Sequence, residues 1–316
     1  MIIGHGKEIW SKSDVGNATM IEVDSNGNVY VGYRNGIDTP IYKYDSNGNI
    51  LWSKVILKDA VCLAVDSSEN VYIVCNMSDG STTIYKLGSD GTALWSKNDI
   101  FNAWGVDVDS SNNIYVIYKN EVGTVSLRKL DSNGNELWSK SDIGTAVGLT
   151  VDSIGNVYVA YIHNGTNYYI RKLDSGGNEL WIKSDNYYGI GFLNSKCLAV
   201  DSIGNVYVVC HVTGKNIRKL DSNGNELWAT GDISAIYDIA VDLSGNIYIT
   251  RFANDTNGSL IVYNSHPNNG TDILWSKNDV AMLFSLALDN KGFVYLAYDN
   301  SLGNGKCVRK LQCTFR

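Results

Sequence analysis

The sequence predicts an all-β fold: a seven-bladed β-propeller of four-stranded antiparallel blades, the last blade closed by the N-terminal strand. Three observations carry this. A phrase of the form apolar–Asp–x–x–x–Asn/Phe–apolar–Tyr–apolar occurs seven times, at Asp24, Asp66, Asp109, Asp152, Asp201, Asp242 and Asp289, at intervals of 41 to 49 residues. Periods of this length belong to four-stranded propeller blades. A second phrase, best seen as Lys129-Leu130-Asp131-Ser132-Asn133-Gly134-Asn135-Glu136-Leu137-Trp138, alternates with the first and sets tryptophans at Trp52, Trp95, Trp138, Trp181, Trp228 and Trp275. Finally, the seventh repeat ends at Val308-Arg309-Lys310-Leu311 without its last strand, while Lys7-Glu8-Ile9-Trp10-Ser11-Lys12 copies that missing strand at the other end. Residues 7–12 are therefore expected to pair with residues 307–311 and to complete a seventh blade with residues 283–312. Residues 1–316 then form a single domain. Such closure hides sheet edges that would otherwise recruit other chains.

The elements follow in order within each repeat. In the fourth, the inner strand is expected over 149–152, the second over 156–161, the third over 169–173 and the outer strand over 179–183. Val157-Tyr158-Val159-Ala160-Tyr161 is β-branched and aromatic, as strands prefer. Asp-Ser-x-Gly-Asn between strands is hairpin punctuation, because the Asp side chain bonds its own backbone and Gly supplies positive φ. No segment shows an apolar period of 3.6 residues with caps, so no helix is expected.

Composition narrows the function classes. The chain is 44% hydrophobic and 19% charged, with a net charge of −7 and 20 tyrosines. That apolar content can fill a core, which argues against disorder. The acidic balance is poor for holding a phosphate backbone, so nucleic acid is not an expected partner. No apolar run reaches the ~18–20 residues of a transmembrane helix. The first residues carry no basic segment followed by an apolar core, so no signal peptide is visible. An extracellular or virion surface is the setting suggested by the acidic, Tyr- and Asn-rich composition. Six Asn-x-Ser/Thr sequons are what an Asn-rich chain yields by chance.

Leu198-Ala199-Val200-Asp201-Ser202-Ile203-Gly204-Asn205-Val206-Tyr207-Val208 resembles the core of an NHL-type propeller repeat. Lys219-Leu220-Asp221-Ser222-Asn223-Gly224-Asn225-Glu226-Leu227-Trp228 resembles the Leu-Asp…Gly…Leu-Trp phrase of PQQ-like repeats. Together the resemblances cover nearly the whole chain and imply a propeller. Both families are functionally diverse, and a fold alone does not deliver a function. Quinone-binding propeller enzymes also need metal-ligating carboxylates and amides. No distinct motif supplies these, so no cofactor is expected.

Pairing the first two strands of each repeat through their turn sets the residue four before each Asp opposite the residue nine after it. The expected pairs are Met20/Tyr33, Cys62/Cys75, Gly105/Tyr118, Gly148/Tyr161, Cys197/Cys210, Asp238/Arg251 and Ser285/Tyr298. The two Cys pairs are compatible with disulfides, although buried thiols are the more ordinary reading. No Cys-x-x-Cys occurs and the four His are scattered, which argues against zinc. The repeated Asp-Ser-Asn-Gly-Asn lacks the spacing of a calcium loop and is read as turn chemistry. The tryptophans are expected to pack between neighbouring sheets.

Departures from the repeat mark the working face of such a scaffold. The longest interval holds an insertion, Asp185-Asn186-Tyr187-Tyr188-Gly189-Ile190-Gly191-Phe192. It should neighbour the loop from His163 to Tyr169. Tyr187, Tyr188, Phe192, His163, Tyr168, Tyr161, Tyr118 and Arg251 are the candidate residues for binding a protein partner or a glycan. Glu22, Asp107 and Asp238, on strands that line a propeller channel, are the carboxylates of an alternative: a metal-dependent, lactonase-like hydrolase. No nucleophile–base dyad accompanies them, and the expected function is a non-enzymatic binding or assembly module.

Overall fold

A computed structural model describes residues 6–13, 16–34, 38–56, 59–120, 122–141, 143–163, 167–186, 196–212, 215–231, 236–254, 257–265, 273–280, 283–298 and 307–313. Every regular element among them is a β-strand. The chain divides into two compact units, one formed by Met1–Asp59 with Ser234–Arg316 and the other by Ala60–Ile233. No helix among the described residues is long and apolar enough to cross a membrane.

The first unit begins with β1 (Lys7–Lys12), β2 (Asn17–Val23), β3 (Val29–Arg34), β4 (Thr39–Tyr44) and β5 (Ile50–Ile56). The second unit contains β6 (Asp59–Val65), β7 (Val71–Asn76), β8 (Ser81–Leu87), β9 (Ala93–Val108), β10 (Ile114–Lys119), β11 (Val125–Leu130), β12 (Glu136–Lys140), β13 (Thr145–Val151), β14 (Val157–His163), β15 (Asn167–Leu173), β16 (Glu179–Asn186), β17 (Leu198–Val200), β18 (Val206–Val212), β19 (Lys215–Leu220) and β20 (Glu226–Thr230). The chain returns to the first unit with β21 (Ile236–Val241), β22 (Ile247–Asn254), β23 (Asn257–Tyr263), β24 (Ile273–Val280), β25 (Leu283–Leu288), β26 (Phe293–Tyr298) and β27 (Val308–Gln312).

The first unit holds three four-stranded sheets, ordered β2-β3-β4-β5, β21-β22-β23-β24 and β1-β27-β26-β25. The last is the composite sheet expected from the sequence: Trp10 pairs with Lys310 and Lys12 with Val308. The second unit holds two four-stranded sheets, β13 to β16 and β17 to β20, and one seven-stranded sheet. That larger sheet departs from the four-stranded expectation. β9 runs for 16 residues and serves first as the outer strand beside β8, then as the inner strand beside β10. A polar clamp holds this continuous path. Asn76 Nδ2 donates to the Ala103 carbonyl at 2.8 Å, and the Ala103 N–H donates to Thr82 Oγ1 at 3.1 Å.

The expected register is corrected by one residue. Met20 faces Gly32 rather than Tyr33, Gly148 faces Ala160 rather than Tyr161, and Asp238 faces Thr250 rather than Arg251. Ser285 likewise faces Ala297, and Gly105 faces Ile117. A bulge then inserts one residue in the inner strand, so that Ala18 meets Tyr33, Ala146 meets Tyr161 and Ile236 meets Arg251. Bulges of this kind bend a strand and re-aim its side chains. All six cysteines are thiols, so neither Cys pair is bridged.

Hairpin turns are built as the composition implies. In the turn at 45–49, Asp45 Oδ1 accepts the backbone N–H of Asn47 and of Asn49, while Oδ2 accepts Asn49 Nδ2, all at 2.8–2.9 Å. Both carboxylate oxygens are spent on the turn itself, which is the turn chemistry read from the sequence.

Candidate functional site

The repeated residues assemble a joint between sheets. Each phrase tyrosine is buried and donates its hydroxyl to the phrase aspartate of its own repeat, as Tyr115 does to Asp109 Oδ2 at 2.9 Å. A lysine from the third strand lies over that ring: Lys129 Nζ is 4.9 Å from the Tyr115 centroid. The same Nζ donates to the Ser175 carbonyl at 3.0 Å, in the outer turn of the next sheet. Trp138 Nε1 donates to that same carbonyl at 3.0 Å. Lys172 and Trp181 converge in this way on Ser222, and Lys310 and Trp10 on Ser46, while Lys86 and Trp95 converge on Ser132 between two repeats of the seven-stranded sheet. Each indole also lies against the turn glycine beyond: a Cβ at Gly48 would stand 3.0 Å from Trp10 Cδ2, and one at Gly177 would stand 3.1 Å from Trp138 Cδ2. The tryptophans thus pack between sheets, as expected.

Two of the three carboxylates proposed as metal ligands belong to similar joints. Asp107 Oδ1 accepts the Val108 N–H and Oδ2 accepts the Val151 N–H of the adjacent inner strand, both at 2.8 Å. Asp238 is buried, and its Oδ2 accepts the Leu286 N–H at 2.8 Å. A carboxylate that satisfies orphan backbone donors across an interface is a structural latch. Glu22 is half-buried on β2, opposite Tyr30. Among the described residues, no group of three His, Cys, Asp or Glu side chains is arranged to hold a metal ion.

The binding candidates divide. Tyr187, Tyr188 and Phe192 lie outside the described residues. His163 ends β14 opposite Asn167, and its side chain is not among those described. The insertion does begin beside the predicted loop, since β16 extends until Asp185 faces Tyr168 and Asn186 faces Asn167. Tyr168 is half-buried, with its hydroxyl 3.8 Å from Cys197 Sγ, and burial pushes its pKa well up. Tyr161 and Tyr118 are each covered by an arginine of the neighbouring strand. Both are buried, Tyr161 stacked on Tyr169 and covered by Arg171, Tyr118 covered by the Arg128 guanidinium at 4.9 Å. Arg251 is half-buried beside Ser259 on β23, and its Nε has no hydrogen-bond partner among the described residues.

Beside Tyr118 an open cleft is lined by Asp99, Tyr118, Asn120, Val122 and Arg128. Arg128 spans it, with Nη1 2.9 Å from Asp99 Oδ2 and Nε 3.0 Å from Glu136 Oε2. Lys97 joins Asp99 at 3.1 Å, and Val122 is 84% exposed at the rim. Arginine was missed as a motif residue although it was visible. Arg-Lys-Leu recurs at 128–130, 171–173, 218–220 and 309–311, with acidic partners Glu136, Glu179, Glu226 and Glu8.

A family model described as outer membrane protein assembly factor BamB, a PQQ-type repeat, matches residues 3–190. The chain belongs to that family. Among solved structures, BamB from Moraxella catarrhalis is similar, at 16% identity and a TM-score of 0.57, over 93% of this chain and 85% of that one. That likeness shows the β-propeller fold. No curated protein matches. The match bears out the PQQ-like resemblance at the level of the family.

Proposed function

We propose that the chain is a non-enzymatic scaffold for protein assembly: a seven-bladed propeller, completed by β1, that presents the loop ends of its central repeats to a protein partner. The observation that carries this reading is the use made of its charged and aromatic consensus residues. Tyr115, Lys129 and Trp138, with their counterparts in other repeats, are consumed in joining one repeat to the next. Chemistry toward a partner is left to the non-repeated ends. The family description names assembly of outer membrane proteins, which fits a protein partner. The partner surface on this reading comprises the insertion with Tyr187, Tyr188 and Phe192, the adjoining loop at His163 and Tyr168, and the cleft at Asn120 and Val122. Aromatic side chains with amide neighbours suit an interface that is apolar in the middle and wet at its edge. A glycan is the second reading for the same tyrosines.

The test is a pull-down and glycan-array screen with wild type and with Tyr187→Ala/Tyr188→Ala. Loss of capture with an unchanged melting temperature supports the scaffold. Unaltered capture removes the insertion from it. Stoichiometric metal lost on Asp107→Ala would instead revive the hydrolase alternative.

A further inference from the structure

Three outer turns carry an Asn-Gly pair at the joint: Asn47-Gly48, Asn133-Gly134 and Asn223-Gly224. The asparagines are exposed and their glycines hold φ of +86°, +85° and +81°. We propose that these asparagines are spontaneous deamidation sites, each gated by the tryptophan of the preceding repeat.

The reaction needs no co-reactant but water. The glycine backbone nitrogen attacks Asn Cγ and the amide C–N bond breaks. Ammonia leaves with the proton that the nitrogen gives up, closing a succinimide ring. Water then opens either imide C–N bond, leaving aspartate or isoaspartate. Glycine offers this attack the least hindrance, having no side chain. The folded turn opposes it at three points. The Gly48, Gly134 and Gly224 N–H groups donate to the carbonyls of Asp45, Asp131 and Asp221 at 2.9–3.0 Å. The Asn47, Asn133 and Asn223 N–H groups donate to the Oδ1 of the same aspartates at 2.8–2.9 Å. The Cα face of each glycine is covered by the indole of Trp10, Trp95 or Trp181. Turning the glycine nitrogen toward the asparagine side chain breaks the first bond and swings the backbone against the ring. Reaction therefore requires the indole to undock.

The guard is remote in sequence. Trp52 follows Asn47 by five positions, yet Trp10 covers Gly48. Two internal controls exist. Trp138 covers Gly177, which follows Gly176 and so has no amide to lose. Asn26-Gly27 sits in an inner turn where the glycine meets Ser46 and not an indole. The isoaspartate product adds a methylene to the main chain, so a reacted turn cannot reseat its tryptophan and the joint stays open.

The experiment incubates the full chain at neutral pH and quantifies acid at each asparagine by peptide mass mapping. Because a gated reaction tracks the population of the open form, Trp10→Ala is expected to speed conversion of Asn47 by about tenfold. Asn133, Asn223 and Asn26 keep their wild-type rates. Trp95→Ala does the same for Asn133 alone, and Trp181→Ala for Asn223 alone. Trp10→Phe, which keeps a ring but loses the bond to Ser46, falls between. If a variant does not fold, wild type decides: the three sites must convert at least about tenfold more slowly in buffer than in denaturant. Equal native and denatured rates overturn the proposal. So does a folded tryptophan variant that leaves its paired site unchanged or accelerates all three sites together.

Discussion

Gly6, six residues into the chain, lies beneath the indole of Trp275 at φ +71°, the place that Gly48 takes beneath Trp10. Its N–H donates to the Gln312 carbonyl at 2.9 Å, so two separate segments together imitate one outer turn. A Cβ at position 6 would overlap the Trp275 ring. Gly6→Ala should therefore destabilise by about 2 kcal/mol, from left-handed strain plus lost packing. Gly123, with φ +78° and nothing within 4 Å, isolates the strain, and Gly123→Ala should cost about 1 kcal/mol. Denaturant unfolding of both variants checks the difference.

Lys129 is buried, covers Tyr115, donates to Ser175 and stands 3.7 Å from Asp109 Oδ2. Lys129→Ala leaves that buried carboxylate without its cation and should cost about 3 kcal/mol in chemical denaturation. Lys119→Ala, at the exposed end of β10, should fall within about 0.5 kcal/mol of wild type.

Asp238→Ala deprives the buried Leu286 N–H of its acceptor, and a loss of about 2 kcal/mol is expected. Asp238→Asn retains an oxygen acceptor and should recover part of it. Bound metal, measured by elemental analysis, should be the same in all three proteins.

Acid should loosen the joints. Burial alone would raise the Asp109 carboxyl, but hydrogen bonds from Asn113 and Tyr115 and the Lys129 charge hold it below its ordinary 3.8. The Asp131 carboxyl is held down chiefly by the Asn135 side chain, and Asp174 and Asp221 by Asn178 and Asn225. A folded-state pKa below the unfolded one adds stability that is complete above the unfolded value and lost as protons bind the folded carboxylate. Stability should thus be level from neutral pH down to about pH 5 and fall steeply below about pH 4. Asn135→Ala should flatten that fall, as followed by melting temperature against pH.

Much of the fold was legible because its causes are local and repeated. Asp-Ser-x-Gly-Asn announces its turns, and alternation in Val157–Tyr161 announces a strand. Trp10 without a neighbouring repeat announces the composite sheet. The expected register is off by one because a bulge leaves no single residue signature: the inserted positions include Thr19, Val147, Tyr237 and Phe284, a mixture of β-branched and aromatic residues. The backbone bonds of the carboxylates at 107 and 238 were not legible for a related reason. Sequence shows an acid where most repeats have something else, but not that a backbone N–H of the next strand waits for it. Tyr118 and Tyr161 looked available because Arg128 and Arg171, which cover them, come from the far side of a hairpin.

The pairing of β1 with β27 makes the order of the repeats separable from the position of the chain's ends. A peptide joining residue 313 to residue 6 would need to span only a turn, and a new opening could then be cut in any outer hairpin. A circularly permuted gene opened between residues 176 and 177 should yield the same paired strands, with Trp138 now seated on a terminus.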